Sequence, residues 1–206
     1  MPKIIDISLP IDNETLVHPS EKFLNIQLNR SFEADGVRTS KITLGSHTGT
    51  HIDAPTHFLE TGKMIDEIDL QKCIGESQVI EINAEIDLIE RTHLEGKINS
   101  KRILFKTKNS KLLNKPYTKD FTSLGESGAQ YLIDKGIELV GIDYIGIEAS
   151  GSPGHPVHTK LLENEIVIVE GLNLENVNSG IYHLMALPLN LKCLDGSPAR
   201  AVLVKN

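Results

Sequence analysis

The stretch HTGTHIDAPTHF, residues 47–58, places three histidines and an aspartate between His47 and His57, separated by glycine, threonine and proline rather than by a hydrophobic repeat. On a helix, His47 and His51 would lie one above the other. Gly49, two threonines and Pro55 argue against that conformation, since proline alone costs about 3 kcal/mol in a helix interior. In an extended chain side chains alternate, so the odd-numbered His47, His51, Asp53 and His57 share one face. A straight strand would still hold His47 and His51 about 13 Å apart at roughly 3.3 Å per residue. The chain must bend between them, and Gly49, lacking a Cβ, permits the bend.

His51 and Asp53, two apart, can aim an imidazole nitrogen and a carboxylate at one centre without distortion, as a first-row divalent ion requires. Any one of these histidines is adequately explained as a hydrogen-bonding loop residue, but the set on one face beside an aspartate points to a metal site. Closed structural zinc sites commonly use cysteine, whereas catalytic ones keep a position open. The absence of a nearby cysteine favours the second kind. Further ligands must come from elsewhere, and GHPVHTKLLENEIVIVEGL, residues 154–172, offers His155, His158 and Glu170. Glu170 follows an aliphatic run, so its carboxylate needs a partner if buried. A solvent-exposed glutamate at a strand end is the competing reading.

The surrounding 206 residues are 39% hydrophobic and 24% charged, which suits a globule with a substantial core. A net charge of −7 argues against nucleic-acid binding, which needs clustered lysine and arginine. No apolar run approaches the ~20 residues of a membrane span, and Asp6 and Pro10 interrupt the first apolar stretch, so a cytoplasmic protein is expected. Cys73 and Cys193 are expected as buried thiols rather than a disulfide. Runs rich in β-branched residues predict seven or eight strands: KIIDISL, RTSKITL, SQVIEI, RILFKT, LVGID, EIVIVEGL, YHLMALPL and RAVLV. A helix is predicted over residues 123–135, ended by Gly136, and a second of about two turns starting near His158. MIDEIDLQKCIG fits either a helical turn or an irregular connection. DGSPARA, residues 195–201, carries tight-turn pairs, with Arg200 as a salt-bridge partner. No linker or repeat divides the chain, so residues 1–206 read as a single α/β domain.

The stretch His47-Thr-Gly-Thr-His51-Ile-Asp53-Ala-Pro55-Thr-His57-Phe58 resembles the His-x-Gly-Thr-His-x-Asp-x-Pro-x-His-Phe signature of the cyclase family, whose best-known members are bacterial kynurenine formamidases. The likeness runs from DISLPI through IDEIDL, LVGID and IVEGL to ALPLNLKCLDGSPARAVL. It implies a swivelling β/β/α fold with a mixed, largely β core and few helices. It also implies a centre of two divalent ions held by His47, His51, Asp53, His158 and Glu170, with Asp53 and Glu170 as bridges; imidazole and carboxylate ligands suit zinc, manganese, iron and cobalt. His57 matches the family's general acid/base. The implied activity is hydrolysis of a small-molecule amide of the arylformamide type, in the manner of tryptophan catabolism, with isatin-like cyclic amides or smaller non-aromatic amides as alternatives. A non-catalytic metal-binding module is the alternative of another class, though a free imidazole at His57 gives such a module nothing. The family also implies a homo-oligomer, a dimer or dimer of dimers. Two departures stand out. His18 precedes Pro19 where the formamidases carry tryptophan, which predicts a reduced aromatic wall and substrate recognition by His18. Gly146 stands where they commonly carry serine.

Overall fold

The computed structural model describes residues 2–20 and 23–205. In chain order its elements are β1 (Lys3–Asp6), β2 (Asn25–Arg30), α1 (Phe32–Asp35), β3 (Thr39–Thr43), β4 (His51–Asp53), β5 (Ile74–Glu81), β6 (Leu88–Ile89) and α2 (Arg91–Leu94). They continue with β7 (Arg102–Lys106), β8 (Ser123–Leu124), α3 (Glu126–Asp134), β9 (Leu139–Ile142), α4 (Pro156–Glu163), β10 (Val167–Glu170), β11 (Gly180–Pro188) and β12 (Gly196–Lys205).

One eight-stranded sheet has the order β1-β12-β11-β5-β7-β9-β10-β4, and β4 also pairs with β12, so the sheet closes on itself. Strands β5, β7, β9 and β10 run parallel, which requires crossovers, and α2, α3 and α4 lie on those connections. The arrangement is the mixed, mostly β fold with few helices that the sequence led us to expect.

The strands separate two cores. Val79, Leu104, Leu139, Val167 and Val169 point inward with Leu184, Ala201 and Leu203. Their chain neighbours Ile80, Ile103, Phe105, Val140 and Ile168 point outward beneath the helices, against Leu132 and Leu161. Strands buried on both faces carry continuous apolar runs, which is why residues 103–105, 139–142 and 167–169 stand out in the sequence. Full burial of each such side chain contributes about 1.5–3 kcal/mol. β11 instead alternates, burying Tyr182, Leu184 and Ala186 while Ile181, Met185 and Leu187 face out.

Several expectations need correction. The helix predicted from residue 123 begins at Glu126, because Ser123 and Leu124 pair as a strand with β6. Its end is as expected: Gly136 takes φ 61°, and Ile137 N donates to Leu132 O at 3.1 Å. The second helix begins two residues before His158, with Pro156 in its first turn. MIDEIDLQKCIG forms two 3-10 turns, Ile65–Glu67 and Leu70–Cys73, and then enters β5. RTSKITL lies outside the main sheet, in a hairpin of β2 and β3. The turn expected in DGSPARA falls earlier, at residues 192–193, and Gly196 already opens β12, whose pairing with β4 and β11 takes up the segment. Cys73 is buried but Cys193 is exposed. Arg200 pairs with Asp6, Nε to Oδ1 at 3.0 Å.

Candidate metal centre

β4 is short, yet it holds the site. It pairs antiparallel with β10, so that His51 lies opposite Glu170 and Asp53 opposite Ile168. His51, Asp53 and Glu170 therefore point to the helix-covered face, where α4 presents His158. Gly49, at φ 66°, turns the chain so that His47 returns toward Asp53. Gly171, at φ 69°, lets the end of β10 touch that turn, since a Cβ there would lie 2.3 Å from Gly49 O. Thr50 Oγ1 clasps the contact by donating to Gly171 O at 2.5 Å. Of the expected extended segment, only residues 51–53 are strand, and His57 sits in a 3-10 turn, Pro55–His57.

The structure brings His47, His51, Asp53, His158 and Glu170 together. Asp53 Oδ1 is 2.9 Å from His47 Nδ1 and 3.5 Å from His51 Nε2. Glu170 Oε2 is 3.4 Å from His51 Nε2, and its Oε1 is 3.2 Å from His158 Nε2. Asp53 thus faces two ligand groups, one with His47 and His51, the other with His158 and Glu170.

Each imidazole is oriented by a second acceptor on its far side. His47 Nε2 donates to Asp195 Oδ2 at 3.0 Å, His51 Nδ1 to Gly49 O at 2.9 Å, and His158 Nδ1 to Glu148 Oε2 at 2.7 Å. The remaining nitrogen of each ring therefore faces the carboxylates, and once His47 and His158 give up their second proton it is free to ligate, the arrangement metal-ligating histidines require. Asp53 Oδ2 is buried and has no hydrogen-bond partner among the described residues. A buried carboxylate oxygen without a donor is costly. A divalent cation satisfies it, and the donor set of imidazole and carboxylate fits one.

Electrostatics agree with this reading. Burial pulls the His47 pKa down, but hydrogen bonds to Asp195 and Asp53 outweigh it and raise it to about 10. His158 is likewise raised to about 10, burial being overcome by Glu148 and Glu170. Burial and the neighbouring Glu170 oppose ionisation of Asp53, yet bonding to His47 and the nearby charges hold its pKa below the usual range. Glu170 is depressed by His158 and His51 against its burial. Burial lowers the pKa of His57, leaving its ring neutral near pH 7. His57 stacks on His47 with centroids 3.9 Å apart, and among the described residues it forms a potential ligand group with His47 and Asp195 rather than with Asp53.

Above the centre opens a cavity of about 570 Å³ that His57, His18 and Gly146 all line. Phe58, Tyr117, Phe121 and Tyr144 line the cavity beside His18, with no tryptophan. His18 packs edge-on against Tyr117, 5.1 Å between centroids, and its Nδ1 lies 2.7 Å from Ser20 Oγ. His155 stands at the rim, half exposed, in a left-handed conformation at φ 47°.

The matched Cyclase family ("Putative cyclase") covers residues 5–149, the part that contains the 47–58 signature. The chain belongs to the cyclase family. One cyclase relative, the kynurenine formamidase of Bacillus thuringiensis subsp. konkukian (strain 97-27), is 34% identical over 204 residues, covering 97% of this chain and 96% of the relative. A solved structure of a potential metal-dependent hydrolase with cyclase activity superposes with a TM-score of 0.87 at 34% identity, covering 100% of this chain and 99% of the other. An isatin hydrolase bound to the product analogue thioisatinate shares the cyclase fold at TM-score 0.87 and 22% identity, covering 98% of this chain and 92% of the other. Glu148 and Asp195 escaped the sequence reading. Glu148 is one acid in a loop ten residues before His158, and Asp195 belongs to an Asp-Gly pair that turn chemistry already explained.

Proposed function

We propose that this cyclase-family chain, acting as one domain over residues 1–206, is a metal-dependent hydrolase that cleaves the C–N bond of a small-molecule amide. The observation that carries the reading is the set of three histidines tied off on their far sides and facing an unpartnered Asp53 Oδ2. His47, His51 and Asp53 would hold one divalent ion, and Asp53, His158 and Glu170 a second, with zinc or manganese suited to these donors. Such an ion, when bound, lowers the pKa of water toward about 7 and polarises a carbonyl oxygen.

The chain's own residues do the rest. His57, neutral near pH 7 and lining the cavity, takes a proton from the attacking water at its ring nitrogen and delivers it to the amide nitrogen as the C–N bond breaks. Phe58, Tyr117, Phe121 and Tyr144 offer flat apolar faces that suit an aryl amide and exclude water from it. His18, at the same wall, supplies a polar contact that orients the substrate. An arylformamide of the N-formylkynurenine type, as in tryptophan catabolism, is the leading substrate, in line with the named activity of the 34%-identical relatives. We take the working form to be a homo-oligomer, a dimer or dimer of dimers, because the β2–β3 hairpin leaves Leu28 and Ile42 exposed.

Purified protein reconstituted with zinc or manganese should hydrolyse N-formylkynurenine, with isatin as the cyclic comparison. Turnover of neither removes the aryl-amide reading. His57→Ala should keep its metal and lose about 10²-fold or more in turnover. Metal lost from that variant would instead place His57 among the ligands.

A further inference from the structure

Asp195 lies where the ligand cluster meets His57. Its carboxylate is anchored from behind, since Ser46 Oγ donates to Oδ1 at 3.0 Å, and its backbone carbonyl accepts from Ala54 N at 2.9 Å. The next residue must be glycine, because a Cβ on Gly196 would lie 2.7 Å from His47 Cε1. The segment is therefore pressed against His47, which stacks on His57, and Asp195 Oδ2 is near both rings. Oδ2 lies 3.0 Å from His47 Nε2 and 3.6 Å from His57 Nδ1. Among the described residues no other carboxylate lies within 4.0 Å of a His57 ring nitrogen.

A neutral imidazole carries its proton on one nitrogen only, and the bond made by that nitrogen selects the tautomer. A carboxylate oxygen has two lone pairs and can accept from both rings. The 3.6 Å separation exceeds a hydrogen bond, but catalytic contacts are commonly long before substrate arrives and tighten in the complex.

We propose that Asp195 is a positioning residue for His57: it accepts from His57 Nδ1–H and so leaves Nε2 as the atom that exchanges the proton with substrate. The inference rests on the acid/base reading of His57 given above. It differs from a role confined to the metal, in which Asp195 would act only through His47.

A double-mutant cycle separates the two roles, measured as kcat at saturating zinc on the amide the protein hydrolyses fastest. Asp195→Asn should lower kcat by about 10²-fold in the otherwise unchanged protein, the scale of an acid/base contribution. In a His57→Ala background the same change should cost less than about twofold, because the group it positions is gone. Equal losses in both backgrounds, or no loss in the first, overturn the inference. If His57→Ala alone leaves kcat intact, the acid/base reading falls and takes the inference with it. A loss confined to His57→Ala removes only the inference. Nitrogen-15 NMR of the histidine rings in the zinc-loaded protein gives a readout independent of turnover. His57 should carry its proton on Nδ1 and lose that preference in Asp195→Asn, and a proton on Nε2 in the unaltered protein refutes the proposal. Should Asp195→Asn fail to fold, Ser46→Ala, which frees Oδ1, should weaken the same tautomer preference, and an unchanged preference counts against it.

Discussion

Replacing Glu148 by glutamine should cost metal affinity through a single proton. Glu148 is buried and serves two donors at once, with Oε1 accepting from Val157 N at 2.9 Å and Oε2 from His158 Nδ1 at 2.7 Å. Glutamine has one acceptor oxygen for these two donors. If that oxygen keeps Val157 N–H, the amide NH2 faces His158 Nδ1 and forces the ring proton onto Nε2, the nitrogen that faces Glu170 3.2 Å away. If the amide turns the other way, Val157 N–H is left buried against a second donor. Either choice forfeits one charge-assisted bond, worth about 1.5–3 kcal/mol, or roughly 10- to 150-fold in a binding constant. Loss of an outer partner of a metal-ligating histidine typically costs 10–100-fold, so the two routes to the number agree. Competition titration with a chromophoric zinc chelator reads the effect directly. It should fall on the ion held by His158, while the group of His47, His51 and Asp53 is spared. Unchanged affinity for every bound equivalent would refute the claim that Glu148 sets the His158 tautomer.

Metal loading should improve as pH rises. In the metal-free protein His47 and His158 hold their protons up to about 10, so an entering ion must displace them, and calorimetry in buffers of different ionisation enthalpy should find about two protons released near pH 7. The stability linkage has the opposite sign. Histidines raised from 6.5 stabilise the metal-free fold fully below that pH and lose the contribution as pH climbs to about 10, so its melting temperature should fall across that window. Gly171→Ala should destabilise by more than the roughly 1–2 kcal/mol of a left-handed residue, because the new Cβ also meets Gly49 O at 2.3 Å, and thermal melting checks it. Gly146→Ser should fold normally, within about 0.5 kcal/mol, since a Cβ there meets nothing closer than 3.8 Å, and its effect should appear in KM as the hydroxyl enters the cavity.

The sheet was largely legible because its parallel strands are buried on both faces, and such strands are built mainly from apolar runs. β4 was not legible as a sheet strand. Its residues His51, Ile52 and Asp53 bury one apolar and two polar side chains, and its partners β10 and β12 lie more than a hundred residues away. Hydrogen bonding between distant strands leaves no periodic trace in so short a segment. β2 was equally silent, since NIQLNR is mostly polar and mostly exposed. The inner face of the site could be read because its ligands cluster in sequence around Gly49. Its outer face could not, for Glu148 and Asp195 reach the histidines across loops that carry no spacing rule.

That outer face bears on how many ions the site accommodates. Asp53, Glu148, Glu170 and Asp195 all have pKa values held below the usual range, so four negative charges crowd three histidines. In the metal-free protein the imidazolium forms of His47 and His158 offset two of them. One divalent ion that displaces both protons leaves the balance where it was, two charges short. A second ion would offset the remaining two, of which the charge on Asp195 is already screened by water because that side chain is 44% exposed. With both ligand groups around Asp53 filled, binding at neutral pH should reach two equivalents per chain, and saturation at a single equivalent would refute the two-ion reading.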